Sequence, residues 1–225
     1  RYRMVAFNSD LPGILISGKE SYSGISASAR RNSSGKYIMP TGMLYGATVS
    51  ELEVTLCGVR YRDSNGTVKE CGQSVVRCLP DSLSTIFTVI FKNVSGLEHA
   101  SSATAIIHGV AAGIKLADRV PDGDGAALAS QLSLNPAGRE MSSVSSAFYP
   151  SDPTGTTLQL IVTCRDGKTY SHNFDITPQI LNSPSKHNVI IMIDSISIPD
   201  GDPTDPDDEV GGIDVGVDGW SPIEI

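Results

Sequence analysis

Residues 158–174, LQLIVTCRDGKTYSHNF, contain two alternating segments on either side of a glycine-containing turn. Apolar side chains occupy every second position before the turn, at Leu158, Leu160 and Val162, and the alternation resumes in residues 170–174. Successive side chains of a strand point to opposite faces of the sheet, so this pattern is typical of half-buried strands. The stretch therefore predicts an antiparallel β-hairpin with one face turned toward a core.

The same period of two recurs along the chain. It is found in residues 52–56 and 87–91. Between these segments, Asn65-Gly66 tolerates the positive φ angles of a tight turn and so predicts a second hairpin. Residues 188–198, NVIIMIDSISI, form the most apolar run and predict a central strand. Helical periodicity is hard to find, whereas about a dozen strands are enough for two small sandwiches. The predicted fold class is all-β, with two tandem β-sandwich domains.

Polar and proline-containing stretches separate the predicted strands. Residues 21–36 and 118–125 are rich in small polar or acidic residues and predict exposed loops. The sequence LPDS at residues 79–82 interrupts the alternation and predicts a domain boundary. The predicted parts are an N-terminal sandwich (1–82) and a C-terminal sandwich (83–225), which includes an acidic linker (199–212) and a final strand (213–225).

Composition narrows the class of function. The 225 residues include 19% charged residues, 22 glycines and 13 prolines, and the formal net charge is −8. A phosphate-binding surface needs clustered Lys and Arg, and the basic residues here are scattered, so no nucleic-acid partner is expected. No apolar run approaches the 18 or so residues of a spanning helix.

The sequence offers little material for catalysis or cofactor binding. Nucleophile-elbow, zinc-helix and phosphate-loop motifs do not occur in it. We therefore expect no enzymatic activity, no catalytic residues and no cofactor. The histidines are far apart and lack the spacing of metal ligands: His99, His108, His172 and His187.

An acidic stretch at residues 200–209, DGDPTDPDDE, raises the question of a calcium site. Ca²⁺ takes six to eight oxygen ligands, which alternating carboxylates around a turn can supply. Prolines interrupt the stretch, and the glycine and glutamate of an EF-hand are misplaced, so the favoured interpretation is a solvated acidic linker and no metal site is predicted. The carboxylates that would bind calcium in the alternative are Asp200, Asp202, Asp205, Asp207 and Asp208.

The cysteines lack the C-x-x-C spacing of zinc and redox sites: Cys57, Cys71, Cys78 and Cys164. Both buried thiols and disulfide formation remain open. A two-residue turn at Asn65-Gly66 would place Arg60 opposite Cys71, and Cys57 is an odd number of residues from Arg60. Cys57 and Cys71 would then point to opposite faces and would not pair.

Several stretches, taken in order, resemble a known family. They are similar to the fimbrillin-like lipoproteins of Bacteroidales, and within these to the fimbria anchor and accessory subunits related to the short-fimbria anchor protein. The resemblance spans nearly the whole chain. The stretches are YRMVAFNSD (2–10), MLYG (43–46), FTVIFKNVSGLEHASSATAIIHGVAAGIKL (87–116), LQLIVTCRDGKTYSHNFDIT (158–177), NVIIMIDSISIP (188–199) and GGIDVGVDGWSPIEI (211–225).

The resemblance implies transthyretin-like, Greek-key sandwiches, export as a lipoprotein and assembly of pili by strand exchange. It brings no catalytic residues with it, and it implies membrane attachment only through an N-terminal lipid anchor that is absent from this chain. Family members have a further segment before the strand that matches residues 2–10, so the first sandwich is expected to be incomplete at its N-terminus. The implied location is the extracellular face of the outer membrane or the fimbrium itself.

The function expected first is that of a structural or adhesive subunit of a bacterial surface fimbria, as an anchor, accessory or tip protein that acts through strand addition. Its partners would be other fimbrial subunits, with a host or bacterial surface ligand in an adhesive role. Strand exchange is assigned to Ile213, Val215 and Val217, which alternate with polar residues, and to Trp220, which a bulge at Gly219 would turn inward.

The alternative comes from a different class of protein. A surface glycan-binding module, with calcium assistance, would expose aromatic side chains in a concavity. The tyrosines in predicted loops that suit this role are Tyr22, Tyr37 and Tyr149.

Overall fold

The computed structural model describes residues 1–55, 58–63, 65–71, 75–198 and 221–222. The all-β prediction is confirmed, since 57% of residues are in strands and 4% in helices. Within these ranges, one short α-helix, α1 (Thr177–Leu181), and one 3₁₀ turn, Leu97–His99, interrupt the strands. The strands are β1 (Tyr2–Phe7), β2 (Ile14–Ser17), β3 (Ser26–Ala29), β4 (Tyr45–Thr55), β5 (Gly58–Arg62), β6 (Val68–Cys71), β7 (Asp81–Ser82), β8 (Thr85–Lys92), β9 (Ala100–Lys115), β10 (Val120–Gln131), β11 (Ser133–Asn135), β12 (Glu140–Ala147), β13 (Thr157–Cys164), β14 (Thr169–Asp175), β15 (Asn188–Asp194) and β16 (Ser221–Pro222).

The first compact unit contains Arg1–Ile86, Val110–Ala126 and Ser146–Asp152. One of its sheets has the strand order β1-β4-β5-β6, with β7 also paired to β4, and in the other β3 lies between β2 and the end of β9. The main core of this unit is built from small and large apolar side chains, with a second cluster around Val49, Val59 and Tyr61. The main core residues are Ile14, Ile25, Ala27, Leu44, Leu83, Ala111, Ile114, Leu116, Ala117 and Phe148.

The second unit contains Phe87–Gly109, Ala127–Ser145 and the chain from Pro153 onward. Its two sheets have the orders β16-β14-β13-β9 and β11-β12-β8-β15. Alternate side chains of β8 and of β13 are buried, as the sequence predicted. Apolar burial on every second residue of both strands therefore supplies much of this core, with Phe87, Val89, Phe91, Leu158, Leu160 and Val162 all at or below 1% exposure.

These units differ from the predicted contiguous domains, residues 1–82 and 83–225. The first change of unit falls after Ile86, close to the predicted boundary, but the chain then returns twice to the first unit. The reason is strand length. β9 has 16 residues, of which Ala100–Gly109 belong to the second unit and the rest to the first.

The hairpin between β5 and β6 is confirmed, but its loop is longer than predicted. Asp63 N–H donates to Thr67 O at 3.0 Å, so three residues rather than two form the loop. The Asp63 carboxylate accepts the N–H groups of Asn65 and Thr67, and Gly66 takes a left-handed φ of 78°. Such a glycine adds one residue to the turn and shifts the register.

The shifted register corrects the pairing expected for Cys71. Arg60 lies opposite Glu70, and Cys71 lies opposite Val59. The argument that Cys57 and Cys71 point to opposite faces therefore loses its basis, and Cys57 lies outside the described residues. Cys78 is half-buried and Cys164 is buried. The β13–β14 hairpin is also confirmed and uses the same three-residue loop, with Cys164 N–H donating to Lys168 O at 2.8 Å.

Two predicted loops contain strands. β3 lies within residues 21–36, where Ala27 is fully buried although the surrounding sequence is polar. β10 begins at Val120, inside the predicted acidic loop 118–125, and Gly123 has a φ of 83°. Small and acidic residues gave no apolar alternation in either place, so the period-two criterion missed β3 and the beginning of β10.

Arg119 holds the turn between β9 and β10 onto the other sheet of the first unit. Its Nη1 lies 2.6 Å from the Asp81 carboxylate on β7, and its Nη2 donates to Gly46 O on β4 at 3.2 Å. The side chain of Arg119 is only 25% exposed. Charge-assisted hydrogen bonds of this kind are stronger than exposed ion pairs because water competes less for them.

We expect Arg119→Ala to lower the free energy of unfolding by about 1–3 kcal/mol, because it leaves the Gly46 carbonyl and the Asp81 carboxylate without this donor. Urea denaturation followed by circular dichroism measures the change. Arg60→Ala is the control, since Arg60 pairs with Glu70 at 3.3 Å on an exposed face and should contribute about 0–1 kcal/mol. Equal losses in the two variants would contradict a clamp at Arg119.

Candidate functional site

β15 is an edge strand and not the central strand that its apolar sequence predicted. Among the strands that the structure describes, it ends the sheet order β11-β12-β8-β15. Val189 and Ile191 are fully buried, whereas Ile190 and Met192 are 53% and 44% exposed. Apolar content alone suggested burial of both faces, but only the odd-numbered side chains face the core. An exposed apolar edge strand invites pairing with another chain, and native proteins usually protect such edges.

The backbone of β15 is directed toward two sides in alternation. Just beyond the strand, Ser195 N–H donates to Lys92 O at 3.0 Å, so odd-numbered residues bond toward β8. Even-numbered residues then direct their N–H and C=O groups toward the outer side. We call this outer side, from Asn188 to Asp194, the β15 edge.

Gln179 binds the β15 edge through its side chain. Its Nε2 donates to Met192 O at 3.1 Å, and its Oε1 accepts the Met192 N–H at 2.7 Å. A side-chain amide carries the same donor and acceptor as a peptide group. Gln179 thus makes with Met192 the pair of hydrogen bonds that one residue of an antiparallel neighbour would make.

Helix α1 positions Gln179. Pro178 lies in its first turn, where its missing N–H removes no helical bond, and Ile180, the residue after Gln179, is buried. The Asp175 carboxylate accepts the Thr177 N–H at 2.9 Å where the helix begins. Hydrogen bonds from Thr177 hold the pKa of Asp175 below its ordinary value. Sequence patterns did not indicate Gln179, because a glutamine after Thr-Pro has no distinguishing periodicity.

The residues assigned to strand exchange, Ile213, Val215, Val217 and Trp220, lie outside the described residues. So do the calcium candidates Asp200, Asp202, Asp205, Asp207 and Asp208. Both assignments stay predictions. Directly after Trp220, Ser221–Pro222 forms β16, in which Ser221 pairs with Ser171 and Pro222 with Tyr170 on β14. The chain therefore reaches an edge of the second unit at the point where this segment ends.

Among the tyrosines named as glycan candidates, Tyr22 lies at a surface hollow. The hollow has a volume of about 410 Å³ and lies in the first unit. The guanidinium of Arg3 lies 4.4 Å from the centre of the Tyr22 ring, a cation–π contact. Tyr37 and Tyr149 are half-buried and are not among its lining residues, which are Arg3, Tyr22, Thr48, Ser50, Arg62, Asp63, Gly66, Ala117 and Asp118.

Within the described ranges, no group of three or more His, Cys, Asp or Glu side chains could hold a metal ion. His172 stacks on Phe174 with ring centres 4.3 Å apart, and burial lowers its pKa. Across the same part of the chain, no helix is long and apolar enough to cross a membrane.

Residues 1–128 match the family model described as Domain of unknown function (DUF5119). The chain belongs to this family. No curated protein matches the sequence.

Solved structures similar to this DUF5119 protein share its fold at low sequence identity. An adhesin candidate from Bacteroides ovatus ATCC 8483 aligns with a TM-score of 0.62 and 15% identity over 88% of this chain and 76% of that one. The fimbrial anchor protein Mfa2 from Porphyromonas gingivalis aligns with a TM-score of 0.50 and 11% identity over 86% of this chain and 67% of that one. A candidate polysaccharide-binding protein (DUF1812) from Bacteroides thetaiotaomicron VPI-5482 aligns with 0.50 and 12% identity over 87% and 70%.

We expect acid to release Gln179 from the β15 edge through Asp175. The pKa of Asp175 is lower in the folded chain than in the unfolded chain. The stabilisation from its carboxylate is therefore fully present when the pH is above the unfolded-state pKa, and it is lost as the pH falls through the folded-state pKa. Hydrogen exchange of the Met192 amide, corrected for intrinsic rate, should therefore lose protection as the pH falls from 7 to 3. Asp175→Asn keeps an acceptor oxygen and should remove this pH dependence. An unchanged acid response in Asp175→Asn would contradict the link.

Proposed function

We propose that the chain is a structural and adhesive subunit of a bacterial surface fimbria and acts through strand addition between subunits. The observation that carries the proposal is the β15 edge, where exposed Ile190 and Met192 flank backbone groups directed away from the sheet. In strand addition, main-chain hydrogen bonds supply affinity and alternate side chains supply specificity. The similarity in fold to a fimbrial anchor protein and to an adhesin candidate supports the same role.

The donor in this proposal is the segment containing Ile213, Val215, Val217 and Trp220 of another subunit. Its alternation of apolar with polar residues suits a strand that covers one apolar face. The acceptor is the β15 edge. The partners are therefore other fimbrial subunits, the location is the cell surface on the outer membrane or the fimbrium, and the role needs neither catalysis nor a cofactor.

Ile190→Lys tests the acceptor. A lysine on an edge strand opposes pairing with another chain, and a side chain already 53% exposed can be replaced with little effect on folding. We expect the amount of this variant in fimbriae sheared from producing cells to fall at least severalfold, measured by immunoblotting.

Val144→Lys is the matched control. Val144 is 69% exposed on β12 of the same sheet, and β8 separates β12 from β15. Its incorporation should equal that of the wild type. Equal incorporation of both variants would exclude the β15 edge as the acceptor.

Glycan binding is a second candidate because of the hollow around Tyr22. Its lining residues include Arg3, Arg62, Asp63 and Thr48, whose side chains carry guanidinium, carboxylate and hydroxyl groups. Groups of this kind hydrogen-bond sugar hydroxyls in pairs. The similarity in fold to a candidate polysaccharide-binding protein supports this alternative.

Under this alternative, Arg3→Ala should weaken binding on a glycan array about tenfold, since it removes both the cation–π contact and a hydrogen-bond donor from the hollow. Lys36→Ala is the control, because Lys36 lies 5.2 Å from the Tyr37 ring centre and outside the hollow. Absence of any glycan signal with the wild-type chain, or equal loss in both variants, would contradict the alternative.

A further inference from the structure

The side-chain amide of Gln179 binds the backbone of Met192 on the side of β15 where another strand would add. A carboxamide at 2.7 Å and 3.1 Å from one residue's backbone occupies the place that the peptide group of an added strand needs. An added strand and the Gln179 amide therefore compete for the same donor and acceptor of Met192.

We infer that Gln179 is a place-holder that closes the β15 edge in the free subunit and is displaced when an extended segment of a neighbouring subunit pairs with β15. The inference rests on the proposed function and adds its regulation. The incoming residue opposite Met192 takes over both hydrogen bonds, as in the hydrogen-bonded pair of an antiparallel ladder. Side chains at alternate positions of that segment cover Ile190 and Met192, so they are apolar.

The occupant is identified by the chemistry of the edge. The group that fills it now is an amide, and the groups beside it are exposed apolar side chains: Ile190, Met192 and, at the end of α1, Leu181 at 54% exposure. A polypeptide in extended form presents amides and alternate apolar side chains together. A sugar or an ion presents neither in that arrangement.

The chain supplies a matched pair of amides for the test. Asn8 also spans two backbone groups at a strand end, since its Nδ2 donates to Met43 O at 3.0 Å and its Oδ1 accepts the Tyr45 N–H at 2.6 Å. Asn8 belongs to the first unit and Gln179 to the second. Substitution at Asn8 repeats the chemistry of the Gln179 change at a site to which no docking is assigned.

The probe is a fluorescein-labelled peptide with the sequence of residues 212–220, GIDVGVDGW, titrated into the full chain and followed by fluorescence anisotropy. Gln179→Ala should bind the peptide about tenfold more tightly than the wild type. In the wild type only the fraction of molecules in which Gln179 has left Met192 can bind, and the apparent affinity is reduced by that fraction. Asn8→Ala should bind as the wild type does. Adding Ile190→Lys to Gln179→Ala should abolish the gain.

Gln179→Glu separates the place-holder from a general effect on folding. Its carboxylate cannot donate to Met192 O and repels that oxygen, so the side chain leaves Met192, whereas the protonated carboxyl can make both hydrogen bonds. Protection of the Met192 amide from exchange, compared with Gln179→Ala at each pH, should be low at pH 7 and restored near pH 4. Asn8→Asp should leave this protection unchanged.

The outcomes distinguish this inference from the proposal on which it rests. If wild type and Gln179→Ala bind the peptide equally, and Ile190→Lys weakens both, strand addition at β15 stands and the place-holder is overturned. If no variant binds the peptide, or Ile190→Lys has no effect on binding, both are overturned. If Gln179→Glu shows no pH-dependent protection of Met192, the exchange of hydrogen bonds on which the place-holder depends is overturned.

Discussion

Backbone hydrogen bonding at the ends and edges of sheets is the constraint on which this structure depends. In a chain whose regular secondary structure is almost all strand, N–H and C=O groups at sheet edges need a partner, since leaving one buried without a partner costs about 1–3 kcal/mol. Side chains meet this need at several places. Asn8 binds the backbone of Met43 and Tyr45, the Tyr61 hydroxyl donates to Arg77 O at 2.7 Å and accepts its N–H at 2.9 Å, and Gln179 binds Met192.

These side-chain partners differ in how firmly they are held. Tyr61 is 3% exposed and packs in a cluster with Val49 and Val59, so its hydroxyl is fixed by the surrounding core. Gln179 is half-buried on a helix of five residues. Local opening is easiest where few apolar contacts hold a segment, and a short helix at a sheet edge fits that description. Of these two contacts, the one at β15 is therefore better suited to exchange.

Sequence alone predicted the strands with alternating apolar residues but not those built from small residues. β8 and β13 alternate bulky apolar side chains, and their burial follows from that pattern. β3 has the sequence SASA, and its place beside β9 depends on close approach: a Cβ at Gly113 would lie 2.8 Å from Ala27 O. Such proximity is a property of two segments far apart in sequence, so neither segment shows it by itself.

The candidate site was less predictable than the fold. The sequence drew attention to residues 188–198 as the most apolar run, but an edge strand and a central strand differ in their neighbours and not in their own composition. Likewise, Gln179 and Met192 are 13 residues apart, and only the path of α1 brings the amide to the strand. Alternation within 188–194 did carry one usable signal, because Asn188 and Asp194 lie on the same face as Ile190 and Met192.

Energetics also favour a reversible cover over a permanent one at β15. Two ordinary hydrogen bonds contribute about 1 kcal/mol each, and holding the Gln179 side chain in one conformation opposes them by an amount of similar size, about 1–2 kcal/mol. An added strand would restore the same two bonds, add others along the edge, and cover the exposed halves of Ile190 and Met192, at about 1 kcal/mol each. The cover is then strong enough to satisfy Met192 in a free subunit and too weak to compete with a full strand. A more stable cover, such as a full neighbouring strand of the same chain paired along β15, would close the edge to any partner.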